Sequence, residues 1–135
     1  MIVRLLVPML ILSTWAVALA ACGRDGTAAT LNEPIQLAPG QSAVFHDNLK
    51  VRLVDVSDSR CPTDVTCLWA GEAIVRLTVI SKGKTSEHEL KELQKGALDG
   101  YLFEILQVLP ARGPEAQRIA PADYRVTLKV ARLTR

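Results

Sequence analysis

Apolar and polar residues alternate along most of this chain with a period of two rather than 3.6, the signature of half-buried strands. The cleanest run comes last: Tyr124, Val126, Leu128 and Val130 alternate with Arg125, Thr127 and Lys129. Residues 49–56 read the same way, with Leu49, Val51 and Leu53 on one side and Lys50 and Arg52 on the other. The alternation slips at Val54 and Val56, which predicts a bulge or burial on both faces. Residues 73–80 place Ala73, Val75, Leu77 and Val79 inward and Arg76 and Thr78 outward. Ser81-Lys82-Gly83-Lys84 predicts a hairpin turn into a returning strand over 85–90. With Ser81 opposite Lys84, Arg76 falls opposite Glu89 and Thr78 opposite Glu87, a solvent face with an opposite-charge pair.

Residues 101–109 form a long apolar strand, broken by Pro110, Gly113 and Pro114. Shorter candidates lie at 35–37 and 42–46, separated by the turn signal Pro39-Gly40. Residues 91–100 contain helix formers in a run too short to predict a helix. The total is six or seven strands with no persuasive helix and turns at the spacing of an all-β domain. The expected fold is an immunoglobulin-like or related two-sheet β-sandwich, with a small open β-barrel as the alternative.

The N-terminus breaks this pattern. After Arg4 the chain is almost wholly apolar to Ala20, ends in Leu19-Ala20-Ala21-Cys22, and turns polar at Gly23-Arg24-Asp25-Gly26. The run is just long enough to span a bilayer. A small-residue site at its end, with no second apolar span, favours a removable leader. The site resembles the lipobox of bacterial lipoprotein signal peptides. That resemblance implies a lipid on the Cys22 thiol, cleavage before Cys22 and acylation of the new amino group with a palmitate-like chain; several acyl chains hold a protein where one does not. Gly23, in place of an Asp, points to the outer rather than the inner membrane of a Gram-negative cell. The expected organisation is a signal peptide over 1–21, a lipidated N-terminus and flexible tether over 22–33, and one domain over 34–135.

Charge narrows the partners. Without Arg4 the basic count falls from 16 to 15 against 14 acids, and so balanced a domain is no nucleic-acid binder. A monomer is expected.

With Cys22 lipidated, Cys61 and Cys67 remain, an even pair in an exported protein, for which a disulfide is expected. Their spacing is not the Cys-x-x-Cys of thiol oxidoreductases, and no histidine lies near enough in sequence to suggest zinc. In the chain-entropy picture so small a loop contributes about 2 kcal/mol. Within the same stretch, Pro62 restricts the loop, Gly71 permits a close backbone approach, and Trp69 is expected to cover the disulfide and plug one end of the core. Asp58 is placed to accept hydrogen bonds from loop N–H groups, and Arg60 to pair with Asp58, Asp64 or Glu72. A loop held on a rigid scaffold can also present a site: the carboxylates of Asp58, Asp64 and Glu72 to a cation, or Arg60 with Trp69 to a sugar or peptide.

No catalytic or cofactor motif is present. The chain lacks Gly-x-Ser-x-Gly, His-Glu-x-x-His, a glycine-rich phosphate loop and the Asp-x-Asp-x-Asp-Gly of calcium loops. His46 and His88 have no ligand spacing, and both methionines, Met1 and Met9, lie in the leader.

The run Asp58-Ser59-Arg60-Cys61-Pro62, followed by Val65, Cys67 and Trp69-Ala70-Gly71, resembles a motif of small uncharacterised bacterial exported proteins, many of them lipoproteins. Val108-Leu109-Pro110 and the pattern of Pro121, Asp123, Tyr124, Val126 and Leu128 are similar to the same group. The resemblance spans most of the chain after the leader and implies a family without an activity. The expectation is a lipid-anchored protein of the bacterial cell envelope, a binding or structural module rather than an enzyme, contacting an envelope protein or the cell wall. One alternative is an inhibitor or ligand sensor that inserts the disulfide loop, at Thr63 to Val65, into a partner. Another is a metal-site protein or enzyme built on Asp58, Asp64 and Glu72.

Overall fold

A computed structural model describes residues 26–115 and 117–134; the signal-peptide and Cys22 expectations lie outside them. The described chain forms nine strands: β1 (Thr27–Ala29), β2 (Pro34–Leu37), β3 (Ser42–Phe45), β4 (Leu49–Asp58), β5 (Ala73–Ser81), β6 (Lys84–Lys91), β7 (Lys95–Leu98), β8 (Tyr101–Leu109) and β9 (Arg125–Arg132). A single 3₁₀ turn, Pro121–Asp123, precedes β9. No helix among the described residues is long and apolar enough to cross a membrane.

The strands form two sheets, β1-β3-β4-β5-β6 and β2-β9-β8-β7, which pack as a sandwich and do not close into a barrel. All pairings are antiparallel except β1 with β3. Consecutive strands are neighbours within a sheet, β3 to β6 in one and β7 to β9 in the other. This is the related two-sheet arrangement rather than the immunoglobulin order, in which neighbours in sequence change sheets more often. The core comes from both inner faces: Val51, Leu53, Val75, Leu77 and Val79 from one, and Phe103, Ile105, Val126, Leu128 and Val130 from the other, all fully buried.

The β5–β6 hairpin has the register that its turn predicts. Ser81 pairs with Lys84, Arg76 with Glu89 and Thr78 with Glu87. Arg76 Nε lies 3.4 Å from Glu89 Oε1. Lys82 and Gly83 both have positive φ, as a two-residue turn matched to strand twist requires.

The slip at Val54 is a bulge: the β4–β5 register shifts between Leu53 and Asp55. Its consequence is one of parity. Side chains 49, 51 and 53 face the core, and after one extra residue it is 56 and 58 that do. The bulge therefore turns Asp58 inward at the end of the sandwich. A second register shift, between Ile105 and Gln107 in β8, does the same for Val108.

Two of the nine strands extend the six or seven expected. β7 falls in the stretch 91–100 that periodicity left unassigned. It is joined to β8 by Asp99-Gly100, both at positive φ, a tight two-residue hairpin. β1 lies inside the expected tether, which is correspondingly shorter: the sheet begins at Thr27, where three residues run parallel to β3.

Replacing the fully buried Leu77 by Ala is expected to lower unfolding stability by about 3 kcal/mol. Arg76→Ala, on the exposed face of the same strand, should change it by less than about 1 kcal/mol. Urea titration of both variants, with an unchanged denaturant slope, checks the assignment of the two faces.

Candidate functional site

The stretch 58–73 begins as a continuation of the β4–β5 ladder. Asp58 pairs with Ala73. Beyond it the Ser59 N–H donates to Glu72 O at 2.9 Å and the Cys61 N–H to Ala70 O at 2.8 Å. The Ser59 hydroxyl also donates to Glu72 O and accepts from the Glu72 N–H, at 3.0 and 3.1 Å. Gly71 has φ +68, and a Cβ there would lie 1.8 Å from Ser59 O. The two backbones approach too closely for any side chain, so this glycine is required by the contact.

Above this neck the Cys61–Cys67 disulfide closes the loop, with Cα atoms 5.9 Å apart, an ordinary separation for such a bridge. Two hydrogen bonds tie the loop to the β8–β9 connection. The Thr63 N–H donates to Gly113 O at 3.1 Å, and Asp64 Oδ1 accepts the Glu115 N–H at 2.7 Å.

The base of the loop is a closed polar network. The Asp58 side chain is only 3% exposed and that of Arg60 17%. Arg60 Nε and Nη2 donate to the two Asp58 oxygens at 2.8 and 2.7 Å, a bidentate pair. Nη2 also donates to Pro110 O at 2.9 Å, and Nη1 to Val108 O at 3.2 Å and, weakly, to Glu92 Oε2 at 3.5 Å. All five guanidinium N–H groups thus have acceptors. The Tyr124 hydroxyl donates to Asp58 Oδ2 at 3.0 Å, and Glu92 Oε1 accepts the Val108 N–H at 2.7 Å. Burial alone would raise the Asp58 pKa. Hydrogen bonds from the Arg60 side chain and backbone and from Tyr124 outweigh it and hold the carboxyl below its ordinary value. Burial, and then the bond to Asp58, push the Tyr124 phenol up.

Of its three possible partners, Arg60 takes Asp58. Asp64 holds the β8–β9 connection instead. Glu72 pairs at the surface with Lys91 Nζ, at 2.8 Å. The three carboxylates are thus engaged separately, and no group of three or more His, Cys, Asp or Glu among the described residues is placed to hold a metal.

Trp69 departs from expectation. It does not plug the core: it is 80% exposed, and Leu68 beside it 92%. The end of the sandwich is already filled by Tyr124 and the Asp58–Arg60 pair. A loop pinched at Gly71 and stapled at Cys61–Cys67 is also too short to fold its far side back onto the core. Tyr124 and Glu92 complete the network without having been named as site residues in the sequence. A buried tyrosine seeks a partner for its hydroxyl, so Tyr124, in the inward phase immediately before the last strand, carried that signal; Glu92 carried none. Leu93 is exposed at positive φ and lines a shallow cavity of about 170 Å³ with Arg60, Gly71, Glu72, Ala73 and Glu92.

Comparison of the chain with protein-family models, curated proteins and solved structures finds no match.

Arg60→Ala leaves Asp58 buried without its cation and is expected to destabilise the fold by about 3 kcal/mol. Arg60→Lys, lacking the planar fork, should recover only part of that loss. Wild-type stability in both variants by urea titration would refute the network's structural role. Gly71→Ala forces the neck apart and should cost about 3 kcal/mol or more.

The depressed Asp58 pKa fixes the sign of one pH effect. Its contribution is present above the unfolded value near 3.8 and is lost as pH falls through the lower folded value. Below about pH 4 the wild type should lose stability more steeply than Asp58→Asn. Parallel acid profiles for the two proteins would remove Asp58 from the account.

Proposed function

We propose that this chain is a lipid-anchored protein of the bacterial cell envelope. Its β-sandwich serves as a binding or structural module rather than an enzyme, and its contact surface is the far side of the disulfide loop. One observation carries the reading. Asp58, Arg60 and Asp64 are engaged within the protein, while Leu68 and Trp69, large and apolar, stand in solvent on a loop fixed at three places. Exposed apolar residues on a rigid support mark contact sites. Arg60 and Asp58 are scaffold in this reading, and Trp69 is the residue that meets a partner.

Anchoring rests on the lipobox-like Leu19-Ala20-Ala21-Cys22. A single domain whose motif carboxylates are each engaged in separate contacts suits a membrane-tethered module in the envelope. The inhibitor reading keeps one supporting feature, the same protruding loop, with Leu68 and Trp69 rather than Thr63 to Val65 as the inserting residues.

Mass spectrometry of the protein purified from bacterial membranes is expected to find a chain starting at Cys22 and carrying a diacylglyceryl group and an amide-linked acyl chain. Cys22→Ser should carry neither. A wild-type chain that retains residues 1–21, or is cut without lipid, would overturn the anchoring.

A further inference from the structure

The strand directions place the start of β1 and the disulfide loop in a definite relation. β1 runs parallel to β3, and Thr27 and Ala43 share a register position. Ala43 in turn pairs with Val51, and Ser42 with Arg52. Gly26, one residue before Thr27, therefore lies near the level of Arg52, and β1 runs from there away from the Asp58 end of β4. At that end lie the loop 58–73, the β8–β9 connection and the Arg60 network that joins them.

The lengths are informative. Asp58 lies six residues beyond Arg52, one of them taken up by the bulge, so the end of the strand stands about 17 Å past the tether's exit. The loop, with Leu68 and Trp69, extends further. From Cys22 to Gly26 there are four residue steps, spanning at most about 14 Å. A chain of that length, held in a bilayer at Cys22, keeps Gly26 within about 14 Å of the surface, less than the distance from the level of Gly26 to the loop.

The chemistry of the tip suits such a surface. From Val65 to Ala70 the chain reads Val-Thr-Cys-Leu-Trp-Ala, with no charged side chain, so immersing these six residues desolvates no ion of their own, and the neighbouring Asp64 carboxylate keeps its bond from the Glu115 N–H. Indole is amphipathic and concentrates at the headgroup level of membranes. The loop is already stapled and pinned, so little conformational freedom is lost on contact.

We infer that Val65, Leu68 and Trp69 insert into the interfacial layer of the phospholipid bilayer that holds the protein's own lipid, giving the domain a second membrane contact and a fixed orientation. The inference rests on anchoring through Cys22. It goes beyond that reading by naming the bilayer as the partner of the loop.

Trp15 lies in the leader, so Trp69 is the only tryptophan of the processed chain and reports directly. The lipidated protein, its Cys22 modification verified by mass, is reconstituted into phosphatidylethanolamine–phosphatidylglycerol vesicles with and without brominated acyl chains. Trp69 emission is expected to be blue-shifted and strongly quenched by the brominated lipid. Leu68→Asp should shift the emission to the red and remove most of the quenching, with unchanged thermal stability and the same lipid on Cys22. Emission typical of an indole in water, unquenched, with the lipid in place, overturns the membrane contact and leaves the anchor intact. A blue shift without quenching that grows with protein density assigns the tip to a second copy and also overturns it. Absence of lipid on Cys22 defeats the anchoring, and the contact with it.

Discussion

The end of this sandwich depends on one buried ion pair. An arginine and an aspartate taken out of water lose hydration worth several kcal/mol each, and a bare pair seldom recovers it. Here the loss is offset because nothing is left unsatisfied. Asp58 binds the guanidinium through both oxygens and also accepts from Tyr124, and Arg60 spends its remaining N–H groups on two carbonyls and Glu92. Those acceptors come from the β8–β9 side and from the crossover between β6 and β7. A single side chain thus joins the ends of both sheets. Apolar residues of equal volume would fill the space but would not fix where Val108 and Pro110 sit relative to the loop.

That pair in turn depends on a single extra residue. Without the bulge near Val54, position 58 would face solvent and its carboxylate would be an ordinary surface charge. With it, Asp58 enters the end of the core where Tyr124 arrives from the opposite sheet. The bulge in β8 gives Val108 the same inward phase. Backbone irregularity in the half of the sandwich nearest the loop is what allows a polar network to close an apolar core.

The sequence was most legible where one short-range rule decided the outcome. The Lys82-Gly83 turn set the β5–β6 register and with it the Arg76–Glu89 pair. The broken alternation at Val54 marked the bulge, and the even pair Cys61 and Cys67 marked the bridge. β1 and β7 were hidden for different reasons. β1 is too short for any period to show and is held by its neighbour rather than by its own pattern. β7 alternates weakly because it is an edge strand, and its turn, Asp99-Gly100, was a stronger signal than its periodicity. The choice among three carboxylates for Arg60 lay beyond sequence reasoning, since it depends on the parity set by the bulge and on contacts from residues 92, 108, 110 and 124.

Trp69 shows how that division of labour shapes the surface. An aromatic beside a disulfide ordinarily reads as core, because burying an indole is among the largest gains a small domain can make. The position is closed to it here because the Arg60 network and Tyr124 already occupy the end of the sandwich, and Gly71 pinches the loop too tightly for its far side to return. The motif's ion pair, Asp58 and Arg60, therefore lies inside while Leu68 and Trp69 lie outside, the reverse of the usual partition. The interior residues secure the loop against both sheets, which is what lets the exterior ones stay extended instead of collapsing onto the nearest apolar surface. Changes at Leu68 or Trp69 alter what the loop meets without altering how it is held, whereas changes at Asp58, Arg60 or Gly71 alter the hold itself.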